Sequence, residues 1–220
     1  ICAAASPPYN IAFKIMLSAG WGAGEFLQFN KAETWNAIKA KLAAPNGTEY
    51  FRFGFKGRKK NRREFYSLVT LKVLSDAVAL EQKGKLTLPL SGRGRNGNIG
   101  LPLDDRNIET SRCYLESAFR TALKRAPIAI SQGSPSVHEL RDVFFTRAIQ
   151  VGCSDSAANF VMGHVLDKLN YNKCFNDEAW LWNELRKIHG PAAVTEDAFA
   201  KKIAALEEKI RNLETLKLAQ

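Results

Sequence analysis

Four side chains between residues 136 and 171 have the types and the order that phosphodiester chemistry needs. His138 and Arg141 lie three residues apart, His164 directly follows a glycine, and Tyr171 comes seven residues later. Breaking a phosphodiester by transesterification requires a nucleophile, cations on the non-bridging oxygens and an acid for the leaving oxygen. The planar guanidinium of arginine grips two oxygens and stays protonated. A tyrosine can attack without a metal where such cations favour its phenolate.

A run of basic residues supplies further groups for such a site. The sequence KGRKKNRR follows YFRFGF (50–55) and leads into REFYSLVT (63–70), two stretches whose composition is typical of β-strands. This arrangement predicts a hairpin with a basic turn that faces DNA phosphates, with a lysine of the turn as proton donor. A solvated basic loop is the alternative. The predicted DNA-binding residues are Arg58, Lys59, Lys60, Arg62 and Arg63.

A set of amphipathic helices must position these groups. Apolar residues recur at helical spacing in four long stretches and one short one. The predicted helices cover residues 8–20, 25–29, 31–44, 71–85 and 107–125. The Gly-, Arg- and Asn-rich stretch 91–105 is expected to be a flexible loop. The fold class is therefore predicted to be mainly α with a small antiparallel β-sheet (α+β), with residues 1–190 as one domain.

Two further predicted helices carry the candidate residues. Ser136, with a glutamate three residues later, has the pattern of a capping box and predicts a helix start. His138 and Arg141 would then lie near the N-terminal end of that helix, where backbone N–H groups attract anions. A second helix is expected to be capped by Ser154 and to stop at Gly163.

The C-terminal segment differs in character from the rest of the chain. A helix is expected to begin at Thr195, with apolar residues at 4-3-4-3 spacing that are typical of a coiled-coil seam. The seam residues are Phe199, Ile203, Leu206, Ile210 and Leu213. Because the repeat is short, self-association through residues 195–220 and docking of this helix on its own domain both remain open.

The overall composition points to an anionic partner. The net charge is +10 and the isoelectric point is near 9.5. Nucleic acid is the first expectation and a membrane surface the second. Hydrophobic residues make up 45% of the chain, which argues against disorder, and no apolar run is long enough to predict a membrane span. The chain begins with Ile1 rather than Met, and its start ICAAASPP lacks the basic residues of a signal peptide, so it is interpreted as a fragment. A cytoplasmic location is expected.

Cysteine spacing gives no metal or disulfide signature. Cys2, Cys113, Cys153 and Cys174 are scattered without a CxxC pair, and reduced thiols are the expected state. A zinc site built from Cys153, His164 and Cys174 is a disfavoured alternative. The prediction is a site without metal.

The order and spacing of the candidate residues carry a family resemblance. Over roughly residues 8–185 the chain resembles the catalytic domain of the tyrosine recombinases, the phage-integrase family. His138-Glu-Leu-Arg141 matches the HxLR box of that family, Met162-Gly163-His164 matches its LGH segment, and Tyr171 matches its nucleophile after a shortened gap. The resemblance implies that Tyr171 attacks, Arg141 holds the scissile phosphate, and His138 and His164 support the phosphoryl oxygens and proton transfer.

The resemblance also implies a catalytic lysine in the basic turn. Lys56, directly before Gly57, matches the family's GKG-like sequence motif best, with Lys59 and Lys60 as alternatives. This lysine would protonate the leaving oxygen.

The family implies a particular reaction and assembly. A mainly helical domain would clamp duplex DNA together with an upstream helical domain that is absent here. Site-specific recombination or integration would proceed through a 3′-phosphotyrosine and a Holliday junction, without metal or nucleotide cofactor, inside a homotetramer. The segment after the tyrosine would contact a neighbouring subunit or form core; its apolar residues are Trp180, Leu181, Trp182 and Leu185.

One position departs from the family pattern. The segment SAGWGAGEFLQF (18–29) matches the one that carries the first catalytic arginine, with Glu25 on its acidic position and Gly22 where the arginine is expected. The loss of one phosphate-binding cation should reduce the chemistry by several powers of ten, as for other transition-state cations. DNA binding should survive, since other basic groups contact the backbone. An engineered change, a naturally degenerate enzyme and an arginine supplied from elsewhere are three open explanations.

Two other classes of function remain as alternatives. A catalytically inactive DNA-binding or regulatory protein on the same fold would explain Gly22. A helical adaptor that assembles through its C-terminal coiled coil would explain the tail, but not the ordered set from His138 to Tyr171.

Overall fold

The computed structural model describes residues 1–44, 47–55, 65–93, 99–127, 135–164 and 177–189. Within these ranges the chain forms eight α-helices and four short strands. The helices are α1 (Tyr9–Ala19), α2 (Ala23–Phe29), α3 (Ala32–Ala43), α4 (Leu71–Gln82), α5 (Ile108–Arg125), α6 (Glu139–Gln150), α7 (Asp155–Val161) and α8 (Glu178–His189). The strands are β1 (Tyr50–Phe55), β2 (Phe65–Thr70), β3 (Ser91–Arg93) and β4 (Ile99–Pro102). The predicted α+β class, mainly helical with a small antiparallel sheet, is confirmed.

The end of α1 is fixed by a glycine that packs against α6. Gly20 has a φ of 67°, in the left-handed region that glycine adopts without strain. A Cβ atom there would lie 2.5 Å from Phe144 Cδ1 and 3.0 Å from Met162 Cγ. The chain therefore turns at Gly20 in direct contact with α6 and the end of α7, which brings the next segment towards both.

The predicted hairpin is present as β1 and β2. These strands pair antiparallel from Tyr50 opposite Thr70 to Phe55 opposite Phe65. The aromatic residues of β1 pack on Trp21, just before α2, and on Phe29, the last residue of α2, with ring centroids 5.1 to 6.2 Å apart. The predicted basic turn, 56–64, lies outside the described residues.

The expectation of a flexible loop over 91–105 is wrong where the structure describes it. Strands β3 and β4 pair antiparallel, and the side chain of Asn30 holds the residues that flank them. Asn30 Nδ2 donates to the carbonyl oxygens of Leu90 and Leu103, at 2.8 Å each, and its Oδ1 accepts from Leu90 N–H at 2.9 Å. A buried amide 60 residues away therefore orders a segment whose own composition favours a loop.

Replacing Asn30 with alanine is expected to destabilise the fold by roughly 2 to 4 kcal/mol, because it leaves several buried polar groups without partners. The orphaned donors would be Leu90 N–H and Trp35 Nε1, which lies 2.8 Å from Asn30 Oδ1. Urea unfolding measures the loss. Asn36→Ala, on the exposed side of α3, is the control and should cost little. Equal losses in the two variants would contradict the structural role of Asn30.

The predicted capping box at Ser136 is also wrong. Helix α6 begins at Glu139, and Ser136 Oγ accepts from His138 N–H at 3.2 Å rather than from Glu139 N–H, which donates to the backbone oxygen of Ser136. The neighbouring Val137 N–H donates to Glu116 Oε2 at 3.1 Å. This bond to α5 holds the chain in a turn before the helix. Ser154 does precede α7, but its side chain makes no capping hydrogen bond.

Helix α8 builds a second part of the core. Leu181, Trp182 and Leu185 are buried with Phe144 and Met162, so these α8 residues form core within the chain. Trp180 packs at the edge of this cluster and is half-buried. No helix among the described residues is long and apolar enough to cross a membrane. The predicted C-terminal helix, 195–220, lies outside the described residues.

Candidate functional site

Three segments distant in sequence meet at one place. They are the N-terminus of α2, the start of α6 and the end of α7. A Cβ atom at Gly22 would lie 3.1 Å from Glu25 Oε2, 3.7 Å from His138 Nδ1 and 4.0 Å from Arg141 Nη1. A side chain at position 22 would therefore point into the group formed by Glu25, His138 and Arg141.

Arg141 is a buried cation with fixed partners. Its side chain is only 3% exposed, and Nη1 lies 3.6 Å from Oε1 of Glu25, which is also buried. Nη2 donates to the backbone carbonyl of Met162 at the end of α7. Because a buried charge is costly without partners, these contacts explain how α6 can carry an arginine on its inner face. They also fix the orientation of the guanidinium.

Glu25 links the start of α2 to Arg141. Its Oε2 accepts from Gly22 N–H at 3.2 Å, which satisfies a donor that the helix itself leaves open. Its Oε1 faces Arg141. The carboxylate of Glu25 thus offsets much of the positive charge of Arg141. Because Gly22 has no side chain, position 22 contributes no second cation to the site.

The Met162-Gly163-His164 segment is held in place by the backbone. Gly163 has a φ of 73°, and its N–H and that of His164 donate to the carbonyls of Phe160 and Asn159, at 2.8 and 3.0 Å. This pattern is a Schellman motif, which needs a left-handed residue after the helix. A Cβ at Gly163 would lie 2.6 Å from Phe65 Cζ, so the contact also requires glycine.

The two candidate histidines lie on the exposed rim of the site. His138 directly precedes α6 and is exposed, with Nδ1 turned towards position 22. His164 is also exposed, and its Nδ1 lies 2.7 Å from Asn159 Oδ1. His164 is two residues from Met162, which Arg141 contacts. Both imidazoles are therefore exposed next to residues that contact Arg141 or line position 22.

The predicted lysine and nucleophile lie outside the described residues, as does the rest of the basic turn. These residues are Lys56, Arg58, Lys59, Lys60, Arg62, Arg63 and Tyr171. The ends of the turn are described, however. The chain leaves the sheet at Phe55 and returns at Phe65, which is paired with Phe55 and whose ring contacts Gly163. The two described residues that flank the predicted turn, Phe55 and Phe65, therefore lie on the side of the sheet end that meets Gly163.

Arg112 is a nearby cation that the sequence did not indicate. It lies on α5, and its Nη2 is 3.4 Å from the position of a Cβ at Gly24, in the first turn of α2. Its side chain is exposed and makes no ion pair with another described residue. Position in the sequence gives no hint of this proximity, because it depends on the packing of α5 against α2.

Two titratable residues with strongly shifted pKa values, His189 and Cys153, lie in the protein interior. The pKa of His189 is lowered to about 4, first by burial and then by the charge of Arg147, so this ring is neutral. Burial, followed by the charge of Glu184, raises the pKa of Cys153 to about 11. A protonated thiol is a poor metal ligand. No group of three metal-ligating side chains lies together in the described part of the chain, and Cys174 is outside that part.

Comparison of the chain with protein-family models, with curated proteins and with solved structures gave no match. The function therefore has to be inferred from the residues of the site and their geometry.

Proposed function

We propose that this chain is a DNA-strand-cleaving and rejoining domain of the tyrosine-recombinase type, acting through a 3′-phosphotyrosine intermediate. The observation that carries the proposal is the meeting of three separate segments at Arg141. Position 22, Glu25 and the carbonyl of Met162 lie against this arginine. His138 lies beside position 22, and His164 follows two residues after Met162. Buried, fixed donors with two exposed imidazoles at the rim suit charge stabilisation at a phosphoryl group.

The proposed reaction uses each group once. The phenol oxygen of Tyr171 forms a bond to phosphorus, and the bond between phosphorus and the 5′ oxygen breaks. His164 takes the phenol proton, and Lys56 in the basic turn gives a proton to the leaving 5′ oxygen. Arg141 and His138 hold the non-bridging oxygens. No step needs a metal, an oxidant or a nucleotide.

Duplex DNA is the proposed partner. In support, a net charge of +10 favours a polyanion, and Phe65, which directly follows the predicted basic turn, contacts Gly163 of the proposed phosphate site. Strand exchange needs two duplexes cut in both strands, so the proposed active assembly on DNA is a homotetramer.

DNA binding weakens with salt, and the slope of log binding constant against log salt concentration reports the number of phosphate contacts. Replacing Lys59 and Lys60 together with alanine is expected to make this slope shallower by about 0.9 for each lost contact. The slope is measured by titrating a fluorescent duplex at several salt concentrations. Lys83→Ala with Lys85→Ala, at the exposed end of α4, removes the same charge and is the control. If both double variants lower the slope equally, the basic turn has no special role.

A catalytically inactive DNA-binding protein on the same fold is the second candidate. Gly22 favours it, because the pairing of Arg141 with Glu25 leaves little net positive charge there. This candidate gives the same DNA binding but no covalent intermediate.

A further inference from the structure

Asn159 and Asp155 form a hydrogen-bonded chain that ends on His164. Nδ1 of His164 lies 2.7 Å from Asn159 Oδ1. Asn159 Nδ2 in turn lies 3.1 Å from Asp155 Oδ1 and 2.9 Å from the backbone oxygen of Asp155. All three residues belong to α7 and its C-terminal turn. These hydrogen bonds therefore connect the start of α7 to the imidazole of His164.

The chemistry of the partners fixes the direction of each bond. A carboxylate and a backbone carbonyl oxygen can only accept, so the amide nitrogen of Asn159 must face Asp155. The amide oxygen then faces the imidazole and also can only accept. Nδ1 of His164 must therefore carry the proton. In the neutral ring the remaining lone pair is on Nε2.

The backbone explains why these side chains meet. In the Schellman motif that ends α7, Asn159 is the residue whose carbonyl accepts from the N–H of His164. This motif usually brings an apolar pair together at these two positions. Here the pair is an amide and an imidazole, and Asp155, one turn earlier on the helix, fixes the amide.

We propose that Asn159, oriented by Asp155, is a positioning residue that holds His164 as the Nδ1–H tautomer, so that Nε2 accepts the phenol proton of the attacking tyrosine. The O–H bond of the phenol breaks, the Nε2–H bond forms, and the phenol oxygen bonds to phosphorus as the 5′ oxygen leaves with the proton of the lysine. That the tyrosine phenol donates the proton to Nε2 rests on the proposed function, whereas the tautomer of His164 does not.

An amide suits this role better than a carboxylate would. A carboxylate next to Nδ1 would favour the imidazolium, which has no lone pair for the phenol proton. The amide oxygen of Asn159 fixes the tautomer without adding a negative charge beside the ring. A residue that hydrogen-bonds the second ring nitrogen of a functional imidazole sets the orientation and the tautomer of that ring in this way.

The tautomer can be measured directly on the full chain. The sequence has three histidines, so a sample with ¹⁵N-labelled histidine gives a small set of imidazole signals, and His164→Gln assigns one of them. At a pH where the rings are neutral, His164 is expected to show the Nδ1–H pattern. Asn159→Ala should convert it to a mixture of tautomers. Asn183→Ala, exposed on α8, should leave it unchanged.

A double variant tests whether the hydrogen bonds between residues 155, 159 and 164 fix the tautomer, or whether position 159 must be asparagine for another reason. In Asp155→Asn with Asn159→Asp, the carboxylate at 159 still accepts from Nδ1 and is itself fixed by the amide at 155. At a pH high enough to keep the ring neutral beside the new carboxylate, the Nδ1–H tautomer should therefore return. Thermal unfolding checks that each variant is folded.

Covalent cleavage of nicked duplex DNA gives the second readout, in this chain and in Gly22→Arg. Asn159→Ala is expected to lower the rate of adduct formation by about ten- to a hundredfold, as for other residues that hydrogen-bond a functional side chain. An unchanged tautomer in Asn159→Ala, or a changed tautomer with an unchanged rate, would overturn the proposal. If even the parent forms no adduct, the proposed function fails, while the tautomer still decides the role of Asn159.

Discussion

Replacing Gly22 with arginine is expected to raise the rate of covalent DNA cleavage by about two to three powers of ten, the effect of one preorganised donor on a transition state. The reason is geometric. A side chain at position 22 points at His138 Nδ1 and Arg141 Nη1. A new guanidinium would add the second cation that the phosphate lacks, and it would share Glu25 with Arg141. The rate of adduct formation on a nicked duplex measures the gain.

The site can accept this substitution. The φ of Gly22 is −82°, so any residue can adopt the backbone conformation. The Cβ would lie 3.1 Å from Glu25 Oε2, and a shift of a few tenths of an ångström at the end of this flexible side chain relieves the contact. Gly22→Met is the matched control, since it adds similar length without charge and should give no gain. An equal rate in the arginine and methionine variants would contradict the missing-cation explanation.

An arginine supplied from elsewhere is the other explanation for Gly22, and Arg112 is the described candidate. Its guanidinium lies beside the first turn of α2. If Arg112 already provides the second cation, this chain cleaves DNA with glycine at position 22, and Arg112→Ala removes that activity. Arg120→Ala, exposed two turns further along α5, is then the control.

Replacing Tyr171 with phenylalanine is expected to eliminate the covalent adduct and to leave DNA affinity unchanged. The substitution removes only the hydroxyl group, and without it no oxygen of residue 171 can bond to phosphorus. Many basic groups contribute to backbone binding, so affinity should not change. Denaturing gels measure the adduct, and fluorescence titration measures affinity. Tyr114→Phe, half-buried on α5, is the control and should form the adduct normally.

Parts of the fold that depend on local pattern could be predicted from the sequence. Gly20 and Gly163 follow apolar helical repeats, and both adopt the left-handed conformation that ends a helix. The hairpin was predictable because aromatic residues flank a polar run. In both cases the residues that determine the structure are close together in the sequence.

Other parts depend on contacts that no local pattern contains. Strands β3 and β4 are held at their ends by Asn30, which precedes the hairpin and α4 in the sequence and hydrogen-bonds Leu90 and Leu103. The turn before α6 depends on Glu116 of α5. Such contacts require the tertiary packing to be known.

The candidate site shows the same division. The order of His138, Arg141 and His164 could be read from the sequence, but the burial of Arg141 against Glu25 and Met162 could not. Asn159 had a local signal, since it stands five residues before His164 with the helix-ending glycine between them. Arg112 had none.

The proposed 3′-phosphotyrosine is tested most directly by the chemical identity of a trapped protein–DNA adduct. A pool of nicked duplexes with randomised sequence allows capture without a known target, because the short fragment beyond the cut diffuses away and prevents rejoining. This chain and Gly22→Arg are incubated with the pool, denatured and digested, and the peptide that carries nucleotide is sequenced by mass spectrometry. We expect a peptide with Tyr171 joined to a 3′-phosphate, together with a free 5′-hydroxyl end. Attachment at another residue, linkage to a 5′-phosphate, or the absence of an adduct from both proteins would contradict the proposed tyrosine nucleophile.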